Sequence, residues 1–440
     1  QTGNSGIFSI QAPQNARLVL SYIGFATREV DVNNQQTLNI TLEEEGTSLN
    51  QVVVVGYGTQ RKATLTGSVA AVGNKEINTS TSSNLQQQLA GKIAGVKITT
   101  NSSEPGAFQS HVDIRGLGEP LIVIDGVTSD MGTFSRLSSS DIESISVLKD
   151  ASAAIYGVQA GNGVVLVTTR TGNAEGKSSI QYQGVFGATG LSEFPARMNA
   201  YDWALMQNEV ASAEFVPRTA PYSDDQLEKF RNTPGLDLEG AYLRPLALQQ
   251  SHTLNISGNT GKNNAVTYFL SGNIFKDDGN YRSGDLNYKR YNFRSNISAK
   301  LNYGLSADVK VNYMADERNT PDQGAWNTIK YLWTTQPVNP TTGEVLTSLY
   351  ANDNHRYPAD LGTEFNPVVN TYADNGGGYH KWNQYQLQGQ AALNWEVPFV
   401  EGLKARVMYN YQRNDMMHKG LNSVYQLYLY DENTDQYKGR

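Results

Sequence analysis

Tyr303-Gly304-Leu305-Ser306-Ala307-Asp308-Val309-Lys310-Val311-Asn312-Tyr313 alternates apolar and polar side chains almost residue by residue. Leu305, Ala307, Val309 and Val311 share one face with Tyr303 and Tyr313, while Ser306, Asp308, Lys310 and Asn312 share the other. A period of two is that of a β-strand with one apolar face. The pattern recurs on either side. Tyr291, Phe293, Ile297, Ala299 and Leu301 oppose Arg290, Asn292, Arg294, Asn296, Ser298 and Lys300, with Ser295 as an interruption. Tyr385, Leu387, Gly389, Ala391, Leu393 and Trp395 oppose Gln384, Gln386, Gln388, Gln390 and Asn394, and Leu403, Ala405, Val407, Tyr409 and Tyr411 oppose Lys404, Arg406, Asn410 and Gln412.

Two environments produce this alternation: a soluble sheet on a core, or a membrane barrel with lipid outside and a polar interior. Tyr303 and Tyr313 are ten positions apart on one face, and so are Tyr385 and Trp395. Ten residues at ~3.3 Å each, tilted by ~40°, rise roughly 25 Å, the height of a lipid-facing band with an aromatic at each rim. Short links at 261–264 and 302–303 alternate with long ones at about 193–247 and 316–379. Short turns on one side and long loops on the other are the asymmetry of an outer-membrane barrel. Compact soluble domains rarely carry such long connections. The odd-numbered residues over 291–313 and 385–411 are therefore expected to face lipid. An arginine at Val309 should be costly there, and changes at Lys310 should cost little.

Composition agrees. The chain has 440 residues, of which 18% are charged, with 41 Gly and 25 Tyr. Mean hydropathy is −0.47, so the polarity comes from Asn, Gln, Ser, Thr and Tyr rather than from charge. A net charge of −7 leaves no electrostatic footprint for nucleic acid. The absence of cysteine removes disulfide frameworks, zinc–thiolate sites and catalytic thiols. No apolar run reaches the ~18–20 residues of a membrane helix, and no signal peptide is visible.

Ahead of the barrel strands the texture changes. Residues 60–172 mix helix and strand. Ser83-Asn84 reads as the cap of a helix carrying Leu85, Gln88, Leu89 and Ile93, with short strands at 95–99, 112–115, 121–125, 142–148 and 164–168 and a turn at Asp125-Gly126. Residues 1–45 read as a small β module with strands at 6–10, 17–22, 27–32 and 37–42. Between the two lies Leu49-Asn50-Gln51-Val52-Val53-Val54-Val55-Gly56-Tyr57-Gly58-Thr59. So β-prone a run, flanked by polar sequence, reads either as a strand offered to another protein by β-augmentation or as an ordinary buried strand.

These strings together closely resemble the SusC-type TonB-dependent transporters of the Bacteroidetes outer membrane. The resemblance is carried by the 49–59 run and by Leu65-Thr66-Gly67-Ser68-Val69, Leu89-Ala90-Gly91-Lys92-Ile93-Ala94-Gly95-Val96, Ile114-Arg115-Gly116 and Val123-Ile124-Asp125-Gly126-Val127. Residues 141–157 and Gly161-Asn162-Gly163-Val164-Val165-Leu166-Val167-Thr168-Thr169 complete it. The fold this implies is mainly β: the N-terminal portion of a transmembrane antiparallel β-barrel with an α/β plug domain and part of a carboxypeptidase-regulatory-like β-sandwich. The expected division is 1–45 for the partial sandwich, 46–60 for the TonB-box segment, 61–172 for the plug, and 178–440 for the first barrel strands with long extracellular loops. By count, about seven or eight barrel strands are present against ~22 in plugged transporters. The expectation is a segment of a longer protein, truncated at both ends, whose strands form an open curved sheet.

By the same resemblance, Gln51, Val52, Val53, Val54 and Val55 form the TonB box, although Gln51 stands where the family usually carries an acid. Arg115 becomes a plug latch toward a barrel carboxylate. The implied function is active import of a bulky nutrient, an oligosaccharide or an oligopeptide, by binding and TonB-driven plug movement. The implied partners are TonB with its inner-membrane motor, a SusD-like surface lipoprotein and outer-membrane lipid. Alternatives are a siderophore or cobalamin receptor of the same class, or a secreted β-rich adhesin.

No catalytic set, cofactor motif or metal site is read. The histidines at 111, 252, 355, 380 and 418 show no ligand spacing. Asp277-Asp278-Gly279-Asn280 with Asp285 lacks a full calcium-loop spacing, and the glycine-rich 157–163 run follows a helix rather than a strand, the wrong order for phosphate. Trp326, Tyr331 and Trp333 are candidate ligand-contact aromatics of a long loop, although Trp326, Ile329 and Trp333 equally suit a short helix packed on its own loop.

Overall fold

The computed structural model describes residues 9–10, 13, 16–22, 25–32, 37–42, 52–55, 58–61, 69–79, 82–149, 151–172, 178–191, 196–213, 218–260, 265–322, 337–338, 343, 345, 371, 378–400, 402–422, 428–431, 434 and 436–439. Near the N-terminus, β1 (Arg17–Tyr22) and β2 (Phe25–Asp31) form an antiparallel hairpin. Residues 37–42, expected as a strand, run without one. A second hairpin pairs β3 (Val52–Val55) with β4 (Gly58–Arg61).

The plug follows. Its strands are β5 (Val69–Gly73), β6 (Val96–Thr100), β7 (Ser110–Ile114), β8 (Leu121–Ile124), β9 (Val127–Ser129), β10 (Ile142–Leu148) and β11 (Val164–Thr169). Five of them form a sheet in the order β5-β10-β11-β8-β9, with β8 and β11 parallel, while β6 and β7 pair separately. Three short helices, α1 (Asn74–Ile77), α2 (Leu85–Leu89) and α3 (Met131–Ser135), pack on it. Asn84 caps α2 by accepting from the Gln86 amide. The helix stops at Leu89, short of the expected reach, and Gly91 turns left-handed at φ +74. Leu85, Leu89 and Ile93 nevertheless all enter the core, with Ile114, Ile124, Phe134, Ile145 and Val167. The expected helix at 151–156 is a 3-10 segment.

The wall is a seven-stranded antiparallel sheet in chain order: β12 (Ser179–Thr189), β13 (Ala247–Thr260), β14 (Val266–Asp278), β15 (Asn287–Lys300), β16 (Leu305–Pro321), β17 (Tyr379–Glu396) and β18 (Lys404–Leu421). It is open: β12 and β18 each have one unpaired edge within it. A last hairpin joins β19 (Tyr428–Asp431) to β20 (Gln436–Gly439). No described helix is long and apolar enough to cross a membrane, which does not bear on crossing by strands. The link between β12 and β13, unresolved by pattern alone, holds three helices, α4 (Ala200–Ala213), α5 (Asp224–Asn232) and α6 (Leu238–Tyr242). Ala204 and Phe230 of α4 and α5 pack with Val338 in a small separate core.

The register confirms the faces. Val309 stands opposite Ile297 and Ala391, and Leu393 opposite Ala307 and Val407. Val309, Ile297, Leu393 and Val407 are all exposed, whereas Arg290, Arg294, Asn296, Asn312, Gln386 and Gln390 on the opposite face are buried. The polar face is buried because the plug sits against it. Trp395 donates its indole N–H to the Tyr303 carbonyl at 3.1 Å, tying two rim aromatics at the short-turn end.

Candidate functional site

The plug is held to the wall by charge, and the central group is Asp125. The two-residue turn Asp125-Gly126 joins β8 to β9 with both φ angles positive, 50° and 86°. Such a turn matches the twist of the flanking strands and favours Asp-Gly. It leaves the Asp125 carboxylate beside β11, where it accepts from the Thr169 amide at 3.1 Å and the Thr169 hydroxyl at 2.6 Å. From the wall, the Lys310 ammonium reaches it at 2.9 Å and the Arg294 guanidinium lies 4.0 Å away. Burial alone would push this carboxyl up. Lys310, Arg294 and the Thr169 bonds outweigh that and hold it below the usual carboxylate range. Arg294 also meets Asp141 at 3.4 Å.

Higher on the wall, toward the long loops, the plug residue Arg136 pairs with Asp316 of β16 at 3.2 Å and lies over the Phe108 ring at 4.7 Å. Phe108 in turn meets Tyr288 of β15 edge-on. Arg318 of β16 grips the plug loop twice, donating to the Glu104 carboxylate at 2.8 Å and the Pro105 carbonyl at 3.1 Å. Side-chain amides fill between. Asn296 donates to the Thr169 hydroxyl and the Arg170 carbonyl, Gln386 to the Thr133 hydroxyl, and Gln390 to the Asp125 carbonyl. Every ion pair between described plug and wall residues falls on β15 or β16. The plug is thus held to the wall by charge pairs and hydrogen bonds, while its hydrophobic core lies within the plug itself.

Among the residues singled out by sequence, Val52 to Val55 form a strand whose partner is the chain's own Gly58–Arg61. Gln51 lies outside the described residues, as do Trp326, Tyr331 and Trp333. Arg115 is exposed at a left-handed position, φ 55°, where β7 ends. The ion pairs described above use other residues, and most have the reverse polarity, with wall cations on plug carboxylates. Lys310 corrects an expectation. It lies on the inner face as predicted, but it ends on a buried acid rather than in water, so changes there are not cheap. His380 and His418, distant in sequence, meet at 3.0 Å, with His380 also bonded to Asp322 at 2.8 Å. The cross-strand pairing of β17 with β18 brings them together, which spacing along the chain does not reveal. Among the described residues no cluster of three or more potential ligands could hold a metal ion. Asn280, from the calcium-like run, instead donates to the Thr189 and Arg244 carbonyls.

Comparison with known proteins gives a consistent family. The model of the TonB-dependent receptor plug domain matches residues 61–164. The chain is 35% identical over 348 residues to TonB-dependent receptor P26 of Formosa agariphila, covering 77% of this chain and 34% of that protein. It is 28% identical over 436 residues to TonB-dependent receptor SusC of Bacteroides thetaiotaomicron, covering 92% of this chain and 40% of that one. The chain thus spans well under half the length of these relatives. In structure it is similar to the RagAB peptide importer in its open-open state, with a TM-score of 0.64 at 22% identity, covering 84% of this chain and 43% of the other.

Proposed function

This chain belongs to the SusC-type TonB-dependent receptors, and from that premise we propose that the protein containing it imports a bulky nutrient across the outer membrane. The observation that carries the reading is the plug seated on the inner face of the wall, held there by ion pairs and hydrogen bonds. In this reading the ligand binds on the long-loop side, which is extracellular. TonB pairs with the Val52–Val55 strand in the periplasm by adding to its backbone edge, and traction through that segment loosens the plug. The described latch consists of Asp125, Asp141 and Glu104 on the plug with Lys310, Arg294 and Arg318 on the wall, together with Arg136 and Asp316. Arg115, at the exposed end of β7, is proposed as an accessory contact of the same kind. The loop aromatics Trp326, Tyr331 and Trp333 are proposed to meet ligand.

The ligand class proposed is an oligosaccharide or an oligopeptide. The likeness in fold to an importer whose name specifies peptide supports the oligopeptide half of this class. A SusD-like surface lipoprotein is the proposed partner on the outer face. The test is deletion of residues 52–55 from the whole receptor, followed by a panel of labelled oligosaccharides and oligopeptides. Surface retention of a ligand should persist while its accumulation in the periplasm stops. Accumulation by the deletion strain at the parental rate would overturn the assignment of these valines.

A further inference from the structure

The plug does not meet the wall uniformly. Against β15 and β16 it is fastened by charge. Against β12, β13 and β14, and bordered by Arg290 of β15, it faces a polar cavity of about 50 Å³, enough for about three to five waters at ~10–15 Å³ each. Ser139 lines it from the plug and Ser251 from β13, and the lining holds no carboxylate. Three buried atoms of the lining make no hydrogen bond within the protein: the Gln88 and Asn273 amide oxygens and the Arg290 Nε. Each of these residues spends its other polar atoms on neighbours. The Gln88 amide donates to the Ser82 carbonyl at 2.8 Å, the Asn273 amide to the Thr253 hydroxyl at 2.8 Å, and Arg290 Nη1 to the Ser83 carbonyl at 2.6 Å. Buried polar atoms are ordinarily satisfied; water fills that role for these three in the closed cavity, and a chain that replaces the water must both donate and accept. An anion would meet the two orphan oxygens and a cation would meet Arg290. A neutral chain of hydroxyls or amides suits both kinds of atom.

Resting on the importer reading, we propose that this seam between the plug and β12–β14 is where the substrate threads past the plug, and that it selects a neutral chain rich in hydroxyls or amides. The seam opens first under traction, and the charged latch on β15 and β16 yields after it. The present cavity is the seam in its closed form, and traction on the plug widens it.

The chain has no cysteine, so introduced thiols report without background from it. In the full-length receptor in energised cells, Ser139→Cys and Ser251→Cys are compared with Thr133→Cys, which sits on the Gln386 side of the plug. Three maleimides of similar size are applied from outside: one on a neutral oligosaccharide, one on an uncharged oligopeptide and one on a sulfonated chain. Labelling of the seam cysteines by a neutral reagent should rise about tenfold when the proton-motive force is present, a factor equal to ~1.4 kcal/mol in the opening equilibrium. The sulfonated reagent should lag, and the faster neutral reagent identifies glycan or peptide as the source. Seam cysteines inert to both neutral reagents, equal labelling by the sulfonated one, or equal labelling of Thr133→Cys would overturn the seam. Such a result leaves the importer reading standing wherever deletion of residues 52–55 still abolishes uptake. If the deletion does not, the importer reading itself fails.

Discussion

Asp125 shows how one residue couples plug to wall. Its carboxylate is desolvated, a cost that two wall cations and two Thr169 bonds must offset. Removing one partner of a fully buried pair costs ~3–5 kcal/mol. Lys310 retains some exposure, so Lys310→Met is expected to cost less, roughly 1–3 kcal/mol, between that figure and the small value of exposed pairs. Urea titration of the plug's protease resistance in the whole receptor measures it. The pH effect has a definite sign. A carboxyl held below its unfolded value contributes stability that is full above the ordinary ~3.9 and is lost as pH falls through the depressed folded value. Limited proteolysis of the plug should therefore be flat from pH 6 to 8, as estimated from that reference value, and rise only below about pH 4. In Lys310→Met the plug should be cleaved faster at every pH, and the acid-dependent part of the rise should shrink, because a carboxyl that is less depressed has less stability to lose on protonation.

At the scale of elements, the wall strands were legible because alternation is local and side chains obey it strictly. In the middle of β16 and β17 the pattern holds: Val309, Tyr313, Leu387 and Leu393 are exposed while Asn312, Gln386, Gln388 and Gln390 are buried. What alternation cannot say is what the polar face touches. Lys310, Arg294 and Arg318 look like solvated lumen residues in sequence, and only the docked plug makes them ion-pair partners. Asp125 stood inside a recognisable string, but its role needed β11 beside it. Of the three helices missed between β12 and β13, α4 and α5 pack on a small core of their own, completed by distant Val338, which strand alternation does not reveal. The His380–His418 contact was likewise invisible, being a product of strand register. The lipid face itself makes a quantitative prediction. Val309→Arg lies near the middle of the apolar band and should cost ~2–4 kcal/mol in a folding titration into lipid vesicles, whereas Leu305→Arg, nearer the rim, should cost ~0–1. Equal costs at both positions would place the band elsewhere.

At the scale of the whole molecule, the seven strands curve around one side of the plug and leave the outer edges of β12 and β18 unpaired within the sheet. In hydrocarbon each unmatched backbone group costs several kcal/mol. These seven strands with the plug should therefore not insert as an isolated fragment, and flotation of that fragment with lipid vesicles should find it unbound. In the proposed importer the plug is a separate body that must move against this wall. Thr169 and Asn296 join the two at 2.9 Å through short side chains. A Thr169→Cys/Asn296→Cys disulfide in the full-length receptor tethers plug to β15 without adding bulk. The decisive measurement is uptake of the oligosaccharide and oligopeptide panel before and after reduction of that tether. No uptake is expected while the disulfide is closed, with recovery once it is reduced. Uptake at the parental rate through the closed tether would contradict the requirement for plug movement.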